Sequence, residues 1–211
     1  MGKMRAEDVK QMFLAICDRL ISSEEELCRL DSRIGDGDHG TTVARGFGEV
    51  KKKLEAESYS TPARICETVG HTLSVSMGGA IGPILGSFFQ AGVRKLEQEG
   101  DWEIEEFQIL FAKGLERIQM LGGAKEGDRT LVDALAPACY ALDDACKEGL
   151  TLKESLKKAA LAAREGAEKT RYMQARKGRA RFLGEKSIGF VDAGATTIAL
   201  MIETMYEEAK E

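Results

Sequence analysis

The stretch "RLDSRIGDGDHGTTVARGF" (29–47) holds "GDGDHG", which fits the dinucleotide fingerprint G-x-G-x-x-G. That fingerprint has meaning only after a strand and inside a βαβ unit. Here a long segment with helical spacing precedes it: Val9, Met12, Phe13, Ile16, Leu20, Leu27 and Leu30 form one apolar stripe. Asp36 and Asp38 would also repel a diphosphate lying directly on the turn. A calcium loop of the EF-hand type fails on register. Starting at Asp36 puts Phe47 in the twelfth position, and starting at Asp31 puts Thr42 there, where a bidentate glutamate belongs. The stretch is therefore a carboxylate-rich turn between two helices.

The same periodicity runs through the rest of the chain, and β-branched alternation is nearly absent. Eight helices are predicted. The first spans 5–30, and the second starts after Gly40 and runs through Leu54. The third opens at Thr61-Pro62, a cap followed by proline at the first helical position. The fourth covers 80–98. The fifth is capped by Asp101 and runs through Ile118, the sixth covers 130–147, and the seventh covers 150–170, where Thr151 and Glu154 form a capping box. The eighth is capped by Asp192 and runs through Met205. This predicts an all-α fold, an eight-helix antiparallel up-and-down bundle or barrel forming a single domain over 1–211.

The links between these helices alternate in kind. "ESYST", "QEGD" and "KEGLT" are short and plain, whereas "DSRIGDGDHG", "VSMGGA", "LGGAKEGDRT" and "QARKGRARFLGEKSIGFVDAG" are glycine-rich or long. In an up-and-down bundle alternate loops fall at the same end. The four unusual loops should converge on one end, where a site is expected.

Composition narrows the possibilities. The 211 residues are 43% hydrophobic and 31% charged, with a net charge of −5. That balance argues against nucleic-acid or anionic-membrane binding. No apolar run approaches a membrane span of about 18 residues, and the N-terminus lacks a signal core, so a cytoplasmic protein is expected. Five cysteines without a C-x-x-C pair suit reduced thiols.

Asp31, Asp36 and Asp38 fall within eight residues. Two carboxylates about 4 Å apart repel by about 4 kcal/mol at an effective dielectric near 20. A hard divalent cation would neutralise them, and carboxylate oxygens suit magnesium. A solvated acidic turn, with Asp36 or Asp38 as a helix cap, is the other reading of spacing alone. The fourth loop carries Arg171, Arg176, Lys177, Arg179, Arg181 and Lys186 in an otherwise acidic chain. Opposite an acidic metal loop, such a segment suits a metal–polyphosphate site. His39 has three readings: a hydrogen bond to phosphate, a phosphate-accepting nucleophile, or a histidine tied to its neighbouring carboxylates. The chain has no Walker A sequence.

Four motifs, "IGDGDHGTTVARGF", "GGAIGPILGSFF", "GGAKEGDRTLVDAL" and "GRARFLGEKSIGFVDAGAT", occur in order over essentially the whole chain. In these the chain resembles the nucleotide-binding L-subunit family of the dihydroxyacetone kinases, and so also the C-terminal domain of the single-chain ATP-dependent enzymes. The resemblance implies an eight-helix antiparallel barrel holding ADP or ATP at one end through two magnesium ions (Mg2+). By motif, Asp31, Asp36 and Asp38 would be metal ligands, and His39, Gly40, Thr41 and Thr42 would face the phosphates. Ala80, Ile81, Gly122, Leu131, Arg179, Asp192, Ala193 and Gly194 would line the nucleotide site. Two positions depart from the pattern: Ile81 stands where serine is usual, and Ala193 where proline is usual.

The implied activity is phosphoryl transfer, with Arg179 among the groups that stabilise the developing charge. The substrate is implied to sit on a K-type subunit, covalently on that subunit's histidine, and no general base is expected in this chain. In some systems an M-type subunit rephosphorylates bound ADP from phosphoenolpyruvate; in others ATP exchanges. Two further readings of the same residues are a self-sufficient metal-dependent phosphate-ester hydrolase and a non-catalytic nucleotide sensor.

Overall fold

The computed structural model describes residues 2–93, 96 and 100–210. Nine α-helices lie among the described residues: α1 (Ala6–Ser22), α2 (Glu24–Asp31), α3 (His39–Ala56), α4 (Pro62–Ser76), α5 (Ile81–Val93), α6 (Ile104–Gly122), α7 (Val132–Lys147), α8 (Leu152–Lys169) and α9 (Ala193–Glu208). Two 3-10 turns, Thr170–Tyr172 and Arg179–Ser187, interrupt the last connection.

The count exceeds the predicted eight because the first predicted helix is two. Ser22 and Ser23 both turn their hydroxyls onto the carbonyl of Arg19, at 2.9 and 2.8 Å. Serine hydroxyls that take a carbonyl from the ladder bend or end a helix. α2 restarts from the Ser23 carbonyl, which accepts from Leu27 N. The predicted cap of the fifth helix also moves. Trp102 exchanges backbone hydrogen bonds with Met4, which holds 101–102 extended. α6 instead starts in a box formed by Glu103 and Glu106. Thr61 and Asp192 cap as predicted, accepting from Arg64 N and Ala195 N, and Thr151 and Glu154 form the predicted box. The predicted end of the fourth helix and part of the "QEGD" link lie outside the described residues.

The helices close into a ring. α1 packs on α3, and each of α3 to α8 packs on the helix that follows it. α9 then returns to α1, while α2 lies across α3 and α9. One apolar cluster fills the ring, with Phe13, Phe47, Phe88, Phe89, Phe107 and Phe111 almost wholly buried. Phe13, Phe89, Phe88 and Phe111 meet edge to face in series, with centroids 4.9–5.7 Å apart, so α1, α5 and α6 are joined through aromatic contacts. α9 is buried along most of its length, and its hidden threonines Thr196, Thr197 and Thr204 satisfy their hydroxyls on the carbonyl four residues earlier. None of the described helices is long and apolar enough to cross a membrane.

Candidate functional site

All four unusual loops reach one end of the ring and enclose a cavity of about 850 Å³. Its wall is built from residues at the starts of α3, α5, α7 and α9. Helix N-termini carry free N–H groups and the positive end of the helix dipole, so four of them facing one space favour an anion.

The acidic turn enters from α2. Asp31 ends that helix and accepts Gly37 N on its carboxylate at 2.9 Å. Gly35 lets the turn fold back this tightly, since a Cβ there would come 2.3 Å from Asp31 Oδ1. Asp38 is the residue before α3, yet its carboxylate makes no capping bond, which sets aside the capping role weighed for it. One carboxylate oxygen from each of Asp31, Asp36 and Asp38 lies within 4.8 Å of the others. The donors are hard, anionic and mostly exposed, a set that fits a hard divalent cation.

Arg179 meets this turn from across the mouth. Gly178, at φ +62°, starts the 3-10 turn that carries it, and Arg179 Nη1 lies 2.5 Å from Asp36 Oδ2. The carrying segment is fastened on both sides: Arg176 N donates to the Asp128 carbonyl, Ala175 N to Ser187 Oγ, and Gly189 N to the Arg171 carbonyl.

His39, Thr41, Thr42, Ala80, Ile81, Gly122, Leu131, Asp192, Ala193 and Gly194 also line the cavity. His39 points its Nε2 at Thr197 Oγ1 of α9, 2.9 Å away, rather than at the carboxylates. Burial lowers its pKa, against the opposing pull of Asp31 and Asp38. The Thr41 hydroxyl donates to Glu24 on α2. Gly40 does not line the space. It sits where α2 crosses α3, and a Cβ there would come 2.0 Å from the Glu24 carbonyl oxygen. Ile81 contributes to an apolar side of the cavity with Ile84, Ile118, Ala124 and Leu131.

Asp192 accepts Ala195 N at 2.8 Å. Its pKa is pushed up to about 6, chiefly by burial, with the Ala195 hydrogen bond and the Arg129 charge opposing and Asp133 and Asp31 adding to the rise. Sequence reasoning missed Arg129, whose side chain is fully enclosed beside Asp192. Its neighbours give the signal in retrospect: Asp128 and Asp133 tie the surrounding amides and leave Arg129 at φ +60°.

A bundle of this topology, with an acidic turn facing helix N-termini at one end, defines a class. Residues 33–207 match the DAK2 domain, and the chain belongs to that family. Among its relatives is the ADP-binding subunit DhaL of the PEP-dependent dihydroxyacetone kinase of Escherichia coli (strain K12). The two are 37% identical over 200 residues, covering 94% of this chain and 95% of the relative. The ADP-binding subunit DhaL of the PTS-dependent dihydroxyacetone kinase of Lactococcus lactis subsp. lactis (strain IL1403) is 35% identical, over 90% of this chain and 91% of its own. The crystal structure of the dihydroxyacetone kinase from C. freundii in complex with AMP-PNP and Mg2+ superimposes with a TM-score of 0.74 at 32% identity. It spans 94% of this chain and 33% of that one.

Proposed function

We propose that this chain is the nucleotide-binding, phosphoryl-transferring subunit of a dihydroxyacetone kinase. The observation that carries the reading is the gathering of Asp31, Asp36 and Asp38 within 4.8 Å, in a cavity walled by four helix N-termini. Asp31, Asp36 and Asp38 would hold magnesium, two ions by the family pattern, which when bound neutralises charge on the nucleotide's phosphates. The amides at the starts of α3, α5, α7 and α9 hold phosphate oxygens. The Ile81, Ile84, Ile118 and Leu131 side takes the flat base. Arg179, 72% exposed on its fastened segment, meets charge that develops during transfer.

The substrate belongs to a K-type partner docked over the mouth. The rim supports such a partner. In the last connection Tyr172 and Phe182 are 77% and 78% exposed, Phe182 directly follows the cavity-lining Arg181, and Ile188 is also exposed. Exposed apolar side chains on the segment that supplies Arg179 and Arg181 to the cavity suit a protein interface. The resemblance to PEP-dependent subunits supports an M-type donor that recharges bound ADP in place. A cytoplasmic location belongs to the same reading.

The test combines this chain with a K-type subunit, dihydroxyacetone, ATP and magnesium. Dihydroxyacetone phosphate should form only when both subunits are present. Rapid, complete ATP hydrolysis by this chain alone would instead support the hydrolase reading.

A further inference from the structure

Arg129 is only 2% exposed. It is the one described non-glycine residue with a positive φ, at +60°. The loop enforces that backbone: Gly127 N and Thr130 N both donate to the Asp133 carboxylate, and Lys125 N donates to Asp128. Of its guanidinium nitrogens, Nη2 donates to the Phe190 carbonyl at 2.7 Å, while Nε and Nη1 are buried without a hydrogen-bond partner. Asp192 Oδ1 stands 3.9 Å from Nη1, beyond hydrogen-bond reach. The residue lies in the wall of the cavity.

As a fold-stabilising device this arrangement is poor. A buried guanidinium with unmet donors loses hydration that its contacts do not return. Strained backbone combined with an unmet buried donor marks a place where stability yields to another requirement. The requirement is legible in the charges nearby. Asp192 uses Oδ2 to cap α9, and its side chain remains 20% exposed. An anionic ligand drawn to the α9 N-terminus therefore meets an anionic side chain at the threshold. Arg129 is the cation beside that side chain, and its hydrogen bond to the Phe190 carbonyl ties it to the segment that leads into the same N-terminus.

We infer that Arg129 is a positioning residue of the nucleotide site: acting through Asp192 and the Phe190 carbonyl, it makes the α9 N-terminus receptive to the anionic phosphates of a magnesium-bound nucleoside diphosphate. The inference rests on the nucleotide-binding reading above and adds a residue to it.

The test measures ADP affinity by calorimetry in excess magnesium, alongside thermal unfolding of the unliganded protein, for R129M, R129K, D192N and R129M/D192N. R129M should lower the melting temperature by no more than a few degrees, because it leaves the Asp192 carboxylate without its cation, and weaken ADP by about tenfold or more. R129K, which keeps the charge and loses the fork, should fall between R129M and the unaltered chain. In the D192N background R129M should cost less than about threefold, because the charge it offsets is gone. A loss of ADP affinity by R129M below about twofold would overturn the inference. So would an equal loss with and without D192N, or failure of R129M to fold. If the unaltered chain itself binds no ADP with magnesium, the nucleotide-binding reading is what fails.

Discussion

Arg179 Nη1 lies 2.5 Å from Asp36 Oδ2, closing a salt bridge over the mouth of the cavity. With the arginine 72% and the aspartate 34% exposed, such a pair contributes at most about 1 kcal/mol. The guanidinium and a divalent cation compete for the same carboxylate. R179A should therefore bind magnesium alone at least as tightly as the unaltered chain. It should bind ADP with magnesium within about threefold, yet lose phosphoryl transfer by about tenfold or more. Calorimetry and a transfer assay with the K-type partner check this; equal losses in affinity and transfer would remove Arg179 from the chemistry.

Replacing Asp36 by Asn separates fold from site. The change removes one carboxylate of the trio and a weak exposed ion pair, and it relieves repulsion with Asp31 and Asp38. The melting temperature should stay within a few degrees, while ADP affinity in magnesium falls by about tenfold or more. Unchanged nucleotide affinity would contradict the ligand role.

The two glycines Gly40 and Gly48 should respond oppositely. At Gly40 any side chain meets the Glu24 carbonyl and Cys28, so G40V should cost roughly 1–3 kcal/mol by parting α2 from α3. At Gly48, in the middle of α3, a Cβ meets nothing within 4 Å. There G48A should stabilise by about 0.5–1 kcal/mol. Denaturant unfolding of both variants is the check.

Asp192 should impose a pH dependence on the unliganded fold. Its carboxyl is held at about 6 when folded, against about 3.9 for an ordinary aspartate. Between these values the folded chain binds the proton and the unfolded chain does not. The resulting stability is fully present below the lower value and is lost as pH rises through about 6. D192N keeps a capping side chain and should remove this component. The stability of the unaltered chain relative to D192N should rise by roughly 1 kcal/mol from pH 6 to pH 5. Parallel pH profiles would contradict the assignment.

These predictions draw unequally on the sequence. The ring of helices was legible because apolar residues recur at helical spacing, and the caps at Thr61, Thr151 and Asp192 are local chemistry. The common end was legible from the alternation of plain and glycine-rich links. The break at Ser22 and Ser23 was hidden because the apolar stripe continues through it; the competition of two hydroxyls for the Arg19 carbonyl is visible only in three dimensions. The start of α6 moved because Trp102 pairs with Met4, far away in sequence. Arg129 escaped notice for a related reason. A lone arginine in a polar loop reads as solvated charge, and its burial depends on a carbonyl 61 residues further along.

The most direct test of the central claim is a crystal structure of the chain with ADP and magnesium chloride. The account predicts cation density about 2.0–2.1 Å from oxygens of Asp31, Asp36 and Asp38, with the diphosphate against the starts of α3, α5, α7 and α9 and Asp36 released by Arg179. Nucleotide seated elsewhere, or those three carboxylates without a cation while Arg179 still holds Asp36, would contradict it.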